Sequence, residues 1–176
     1  MIVPITSFVH LQMSEREVLE EISAWTSSAY RQGRLLSGII YLHNIRWPTM
    51  PGWAIRDVEM FQKLCGPNAL QNVLLTTTQW SITNLAAGES NENTLRTSGH
   101  WRALISGGAA IKRFMGRESG LELINQLMKK EPKPLLIQDQ MVEKNMTLAK
   151  TDAGRLIKAQ FRSRRHGALR WHTSGT

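Results

Sequence analysis

Stretches with helical periodicity alternate along the chain with short, continuously apolar runs. The first helical stretch begins at Ser14, and Glu17 three residues later gives the spacing of a capping box. Its apolar positions recur at intervals of three and four residues: Val18, Leu19, Ile22, Trp25 and Ala29. The pattern predicts a helix over residues 14–30 that packs one apolar face, Trp25 included, against the core.

Three apolar runs have the composition of strands that are buried on both faces. They cover residues 36–42 (LSGIIYL), 72–78 (NVLLTTT) and 109–114 (AAIKRF). Apolar and β-branched residues dominate these runs, as in the strands of parallel sheets. We therefore expect three strands of a parallel sheet.

Further helices are predicted wherever apolar residues again recur at helical spacing. These stretches are residues 55–64, 100–106, 119–130, 135–144 and 151–165. Residues 84–97 are rich in polar side chains and are predicted to form a loop. Helices and strands thus alternate, which is typical of right-handed crossover units around a parallel sheet, and the predicted fold class is α/β.

Candidate ligand-binding segments follow the predicted strands, because ligands of open parallel sheets bind beyond the carboxyl ends of the strands. Three segments have this position: residues 43–46, 76–81 and 115–118. None has the glycine-rich turn followed by Lys-Ser or Lys-Thr that holds a phosphate. The chain also has no paired histidines on a helix, no serine elbow and no obvious pair of carboxylates at strand ends. The sequence therefore predicts no catalytic residue and no metal site.

Four single residues near these segments have simpler interpretations. His43 is predicted to be a hydrogen-bonded residue at a strand end, because no second histidine or acid lies at metal-ligand spacing. Cys65 is predicted to be a buried structural thiol, because the sequence shows no activating base for it. Trp47 and Trp53 lie in a proline-containing loop, where large rings are difficult to bury, and we interpret them as a candidate partner surface.

Length and composition are those of one soluble domain. The chain has 176 residues, of which 41% are hydrophobic and 20% charged, and this excludes a wholly disordered protein. No run approaches the roughly 18 consecutive apolar residues of a membrane span, and residues 1–13 lack the basic start and apolar core of a signal peptide. Because Cys65 is the single cysteine, we expect a reducing compartment and a cytoplasmic location.

Basic charge is concentrated at one end of the sequence. The formal net charge is +8, and residues 153–176 contain no acid and six basic residues: Arg155, Lys158, Arg162, Arg164, Arg165 and Arg170. Phe161 and Trp171 lie among them, so this segment combines the charge and the rings that bind nucleic acid or an acidic membrane surface. Two interpretations stay open: a polyanion-binding tail, and a solvated or disordered extension.

A resemblance to a known family is carried by four segments: LSGIIYLHNI, IRDVEMFQKLCGPNALQNVLLTTTQW, RESGLELINQLM and TDAGRLI. A strand of the SGIIYLH type precedes a helix that ends in Lys-Leu-Cys-Gly, and the next strand ends in Thr-Thr-x-Trp. In these features the chain resembles the fungal G-domain proteins of the P-loop GTPase superfamily, relatives of the immunity-associated and septin-like GTPases. The resemblance extends from about Ser14 to Leu156.

This resemblance implies a Rossmann-like P-loop NTPase fold and a guanine-side site. The residues that match the family's base-recognition motif are Thr77, Thr78, Gln79, Trp80 and Ser81. Ser81 stands where the family has an Asp that accepts hydrogen bonds from guanine, and losing such a charged acceptor costs roughly 1.5–3 kcal/mol of discrimination. The family's phosphate-binding loop, switch threonine and Asp-x-x-Gly magnesium motif precede the helix that starts here at Ser14, and residues 1–13 contain none of them.

The predicted organisation is an irregular leader (residues 1–13), a truncated G-domain-like α/β domain (residues 14–150) and a basic helical or disordered tail (residues 151–176). The expected function is that of a truncated G-domain relative without GTPase activity that acts through interactions. GTP is the cofactor that the resemblance implies, with no magnesium site. The open edge of the partial sheet is expected to be covered by residues 1–13, by another chain or by a second copy. The alternatives are a GTP-binding protein whose phosphate site another chain completes, and a polyanion-binding protein that uses the basic tail.

Overall fold

The centre of the molecule is a parallel sheet. The computed structural model describes residues 2–5, 14–47 and 49–159, and for residues 2–5 it describes the backbone alone. Within this part of the chain, four strands lie in sequential order, each parallel to its neighbours: β1 (Ile2–Ile5), β2 (Gly38–Asn44), β3 (Val73–Thr78) and β4 (Ala110–Arg113). The predicted α/β fold with a parallel sheet and flanking helices is confirmed.

Helices connect and flank these strands. They are α1 (Glu15–Arg31), α2 (Gly52–Cys65), α3 (Leu85–Thr97), α4 (Gly99–Ser106), α5 (Arg117–Met128), α6 (Leu136–Gln138) and α7 (residues 152–159). The α6 turn continues into a π-helical turn, Asp139–Glu143, and short 3₁₀ turns cover Pro67–Asn72, Trp80–Ile82 and Leu148–Lys150.

The two faces of the sheet are covered by different numbers of helices in the described part of the chain. Sequential parallel strands joined by right-handed crossovers have all their connecting helices on one face. Accordingly, the large apolar core joins β2 and β3 to α1, α2, α3, α4, α6 and α7, and it includes the fully buried Trp101 and Ile137. On the opposite face α5 packs Leu123 and Leu127 against Leu74 of β3. One face therefore carries most of the core, and the other carries α5.

The α1 helix begins at the predicted capping box. The Glu17 amide donates to Ser14 Oγ at 3.3 Å, and the Ser14 amide donates to Glu17 Oε2 at 2.6 Å. This reciprocal pair satisfies two amide donors that a helix N-terminus leaves free. The predicted core position of Trp25 is wrong, because 40% of this residue is exposed.

Small polar side chains take the place that the pattern assigned to Trp25. Ser23 and Thr26 are buried on α1, and their hydroxyls donate to the Leu19 and Ile22 carbonyls at 2.5 Å and 2.7 Å. Bonds of this kind allow a hydroxyl to be buried without a large energetic penalty. Gln138 Nε2 of α6 also donates to the Thr26 carbonyl at 2.9 Å, so the close contact is made on this side of α1.

Residues 84–97 form a helix, α3, and the predicted loop is wrong. Asn84 caps this helix by accepting from the Ala87 amide at 3.2 Å. Its buried positions are Gly88, Glu92 and Leu95, which lie at helical spacing. The hydrophobic pattern is absent because a glycine and an acid occupy two of the three buried positions.

The predicted boundaries at both ends of the domain also change. Residues 2–5 form β1, paired in parallel with β2, so an irregular leader is wrong for these four residues. This pairing gives the β2 edge a cover from within residues 1–13, one of the three covers that we expected. At the other end, Ala153 and Ile157 of α7 belong to the large core, so the folded domain extends past residue 150.

Candidate functional site

A groove of about 510 Å³ opens at the carboxyl ends of β2, β3 and β4. Ile40 and Leu42 of β2 and Ile124 of α5 form apolar walls, and Phe114 and Met115, which follow β4, form another. The Phe114 amide continues the sheet ladder by donating to the Thr77 carbonyl at 2.8 Å. The groove therefore lies where ligands of open parallel sheets bind.

Four of the five predicted guanine-side residues line this groove: Thr78, Gln79, Trp80 and Ser81. Gln79 has a left-handed backbone conformation, with φ of 70°, and it turns the chain from β3 into the Trp80–Ile82 turn. Thr78 Oγ1 donates to the His43 carbonyl at 3.2 Å. The fifth residue, Thr77, is fully buried and is absent from the lining.

Thr77 and Trp80 are engaged in a buried polar network. Trp80 Nε1 donates to Thr77 Oγ1 at 3.0 Å, and Thr77 Oγ1 lies 3.2 Å from the Lys112 carbonyl. Glu92 of α3 is 6% exposed, and its Oε1 lies 3.5 Å from the same hydroxyl. Arg113 at the end of β4 donates to Glu92 through Nε at 3.1 Å and Nη2 at 2.8 Å. The network joins β3, α3 and β4 directly behind the groove.

The Trp80 ring is enclosed on two sides. The Arg113 guanidinium carbon lies 4.2 Å from the ring centroid, a cation–π geometry. Gly88 of α3 faces the ring so closely that a Cβ at this position would lie 2.7 Å from Cζ3. The hydrogen bond to Glu92 raises the pKa of Arg113 above its ordinary value, so the guanidinium stays charged. Trp80 is thus held as part of the scaffold while its rim borders the groove.

Sequence reasoning missed Glu92 and Arg113. Glu89, Glu92 and Arg96 have the three- and four-residue spacing of a charged helix face, a signal that the predicted loop concealed. In the structure, Arg96 lies 3.8 Å from Glu92 and Arg113 lies 3.5 Å from Glu89. Nothing in the local sequence indicates that Arg113, 21 positions after Glu92, completes this cluster.

His43 lies inside β2, because this strand occupies Gly38–Asn44 instead of residues 36–42. The residue is 4% exposed, and the centroid of its ring lies 5.6 Å from that of Trp101 and 5.9 Å from that of Trp47. Burial lowers the pKa of His43 to about 4, and a hydrogen bond with the Trp47 backbone acts in the opposite direction. Among the described residues, His43 Nε2 has no hydrogen-bond partner. His43 is therefore neutral at neutral pH and makes a hydrogen bond with the Trp47 backbone, as the predicted hydrogen-bonded role requires, but it is a core residue within β2 instead of a residue that follows the strand.

Trp47, Trp53 and Cys65 are the other single residues that the sequence analysis singled out. Trp47 and Trp53 are half-buried and pack edge to face, with ring centroids 5.1 Å apart, so each ring covers part of the other. Cys65 is buried, as predicted, and burial raises the pKa of its thiol. A raised pKa disfavours the reactive thiolate, in agreement with the structural role predicted for Cys65.

The basic residues 155 and 158 lie on α7 with exposed side chains. Arg155 Nε donates to the Lys150 carbonyl at 2.8 Å. Lys158 borders a second cavity, of about 580 Å³, between α1 and α7. The other predicted polyanion contacts, Arg162, Arg164, Arg165 and Arg170, lie outside the described residues.

Comparison with known proteins identified no relative. No protein-family model, no curated protein and no solved structure matches this chain. In the described ranges, no cluster of three or more His, Cys, Asp or Glu side chains has metal-binding geometry. The helices of the same ranges include none with the length and apolar character needed to cross a membrane. The groove and the polar network behind it are thus the features on which a function can be argued.

Proposed function

We propose that this chain is a catalytically silent relative of the G domain that acts by binding a protein through one apolar surface. This apolar end surface consists of seven exposed side chains: Ile82, Leu85, Phe114, Met115, Leu121, Ile124 and Met128. The first two follow β3, the next two follow β4, and the last three lie along α5. Phe114, Met115 and Ile124 also line the groove.

One observation carries this proposal: exposed apolar side chains are concentrated in these segments. Eight large apolar side chains are exposed in the described part of the chain, and seven of them belong to the apolar end surface. The eighth, Trp25, lies on α1, whose core contacts are on the opposite face of the sheet from α5. Single exposed apolar residues are ordinary on soluble proteins, whereas a group of them marks an interaction site.

The chemistry of the groove supports binding over turnover. Its described lining side chains are apolar or carry a hydroxyl, amide or indole group, and none of them ionises near neutral pH. General acid–base catalysis needs a group whose pKa lies near the working pH. Phosphoryl transfer depends on a phosphate-binding loop, its lysine and a metal ion. We therefore expect no GTP hydrolysis above the buffer background from the purified chain.

Affinity capture with matched variants tests this function. Tagged chain would be incubated with extract from the cells that produce it, as wild type, as Leu121→Asp/Ile124→Asp and as Trp25→Glu. The Trp25 variant is the control, because, of the residues that the structure describes, Trp25 is the one large exposed apolar side chain outside the surface. We expect wild type and Trp25→Glu to retain the same proteins and the double variant to lose them. Identical retention by all three would contradict the proposed function.

A second candidate function, binding of a nucleobase in the groove, is favoured by the position of the predicted guanine-side residues. Gln79 and Ser81 offer an amide and a hydroxyl beside apolar walls, a combination that suits a flat, uncharged ring. Ser81 offers no carboxylate, so we expect weak discrimination between guanine and other bases. The phosphate contacts would then come from another chain.

Equilibrium titration tests this second candidate. The purified chain would be titrated with a fluorescent GTP analogue and magnesium at physiological salt, with GTP and ATP as competitors. Saturable binding that weakens in Gln79→Ala and is unchanged in Gln32→Ala, at the end of α1, supports a base site. No binding up to about 1 mM nucleotide, a free energy weaker than about −4 kcal/mol, excludes a useful base site.

A further inference from the structure

The α5 helix has an apolar stripe that is not used within the described part of the molecule. Leu123 and Leu127 are buried against β3, whereas Leu121, Ile124 and Met128 are 50%, 40% and 59% exposed. The exposed positions lie three and four residues apart, so they form one continuous line along the helix. We infer that α5 packs antiparallel against α5 of a second copy of this chain, an inference that rests on the proposed function.

The charges beside this stripe favour a second copy over an unrelated partner. Arg117, Glu118 and Glu122 lie in the first half of α5, where the acids outnumber the base, and Lys129 immediately follows its last residue. All four are exposed, and none takes part in the ion pairs of the described residues. A net acidic end and a base at the other end make the helix complementary to its own antiparallel copy.

A two-fold axis beside Ile124 satisfies both kinds of contact. In an antiparallel pair, residues equally distant from the axis face each other. With the axis between Ile124 and Asn125, Leu121 lies opposite Met128 of the second copy. Glu118 and Lys129 lie about 10 Å and about 7 Å from the same axis, so Glu118 is offset from Lys129 of the second copy by about 3 Å along the helix, which long side chains span. The two charged positions are about 16 Å apart along the helix, so each end of the pair has its own attractive contact. The antiparallel arrangement also aligns the helix dipoles favourably.

The size of this contact sets the expected strength of the dimer. Twelve helical residues extend over about 18 Å, so two α5 helices bury less than the roughly 1,200–2,000 Å² of a standard interface. Phe114 and Met115 at the rim of the groove add area next to α5. We therefore expect a reversible dimer with a dissociation constant on the order of micromolar.

Sedimentation velocity of the purified full chain tests this inference over about 1 to 200 μM, a range that spans such an affinity. Wild type should shift from monomer to dimer with increasing concentration. Ile124→Glu places a charge at the centre of the stripe and should weaken the dimer by at least about tenfold. Trp25→Glu should leave the dimer unchanged, and circular dichroism would establish that each variant keeps its helical content.

Charge reversal identifies the partner and its orientation. Glu118→Lys and Lys129→Glu should each weaken the dimer by about threefold or more, because each places like charges opposite each other. The double variant Glu118→Lys/Lys129→Glu restores opposite charges and should return the affinity to within about twofold of wild type. Recovery of this kind requires that the two residues face each other across two copies of α5.

Three results would overturn the inference. The first is a monomer at every concentration, and the second is a dimer that Ile124→Glu does not weaken. The third is a double charge variant that is as weak as the single ones. A monomeric chain whose captured protein is still lost in Leu121→Asp/Ile124→Asp would overturn the dimer and leave the proposed function intact.

Discussion

Arg113 at the end of β4 holds the buried carboxylate of Glu92 on α3, with Nη2 2.8 Å from Oε2. The Arg113 side chain is 36% exposed and the Glu92 side chain 8%, so the acid depends on this partner more than the base does. Thr77 and Trp80 share the network, and both belong to the segment that we predicted as a guanine-side site. This pair therefore links the rigidity of the groove to the packing of α3.

Arg113→Met should destabilise the protein by about 2–3 kcal/mol. Breaking a buried ion pair costs roughly 3–5 kcal/mol, and we take a lower value because the arginine is partly exposed to solvent. Adding Glu92→Met should recover part of this loss, since no unpaired buried charge would then remain. Urea denaturation measures both effects, with the exposed Arg117→Met as a control that should stay within about 0.5 kcal/mol of wild type. If Arg113→Met were as stable as wild type, the role assigned to Arg113 would be contradicted.

Gly88→Ala should destabilise the protein although it improves helix propensity. A Cβ at position 88 would lie 2.7 Å from the Trp80 ring, and overpacking of this kind costs about 1–3 kcal/mol. The gain in helix propensity of about 1 kcal/mol offsets part of that cost, so we expect a net loss of about 1 kcal/mol.

Gly99→Ala is the matched control for this prediction, because no atom lies within 4 Å of a Cβ at position 99 in α4. Gly99→Ala should leave the free energy of unfolding unchanged or raise it by up to about 1 kcal/mol. Thermal and urea denaturation would measure this free energy for both glycine variants. If the two variants changed the free energy of unfolding equally, Gly88 would not be in close contact with Trp80.

His43 should make the protein less stable at acidic pH. The pKa of buried His43 is lowered to about 4, whereas histidine in an unfolded chain has a pKa near 6.5. Between these values the unfolded state binds a proton that the folded state does not. The free energy of unfolding is therefore highest above about pH 6.5 and falls by roughly 1.4 kcal/mol per pH unit toward pH 4.

The variant His43→Gln should lose this contribution to the pH dependence. Urea midpoints of wild type and variant would be compared from about pH 7.5, where neither state binds the proton, to about pH 5, where the unfolded state alone binds it. Carboxylates contribute equally to both proteins, so the difference between the two slopes reports His43. Parallel slopes would contradict the buried, neutral state of this histidine.

The basic tail should be tested by removing residues 160–176. Ala153 and Ile157 belong to the core, so a truncation after Ala159 keeps the packing of α7. It removes Arg162, Arg164, Arg165 and Arg170 together with Phe161 and Trp171. If the tail binds polyanions, the salt dependence of binding to a single-stranded oligonucleotide should weaken by a slope of about 3, as expected for four lost phosphate contacts. An unchanged slope supports the solvated extension.

Local signals were sufficient to predict much of the fold. The capping box at Ser14 and Glu17 and the apolar run of β3 each depend on residues that are close in sequence, and both predictions are confirmed. The α3 helix was missed because its buried face consists of Gly88, Glu92 and Leu95. Glu92 is buried because of Arg113, which no local pattern connects to it.

The candidate site shows the same division between local and distant information. The segment after β3 was predicted from its position at a strand end, and four of its residues line the groove. The burial of Thr77 and the enclosure of Trp80 depend on contacts with Gly88 and Arg113, on other elements. The apolar end surface combines residues from three separate segments, so it becomes visible only when the strands and α5 are placed together.

The most direct test of the central claim, binding through the apolar end surface, is an amide-resolved spectrum of the isotope-labelled chain, recorded over a dilution series and then after addition of unlabelled extract from the producing cells. Selective loss or shift of signals from residues 82–85 and 114–128 is the predicted result. Trp25 on α1 and Lys158 on α7 provide reference signals that should not change. Changes confined to α1 and α7, or a spectrum that neither dilution nor extract alters, would contradict the account.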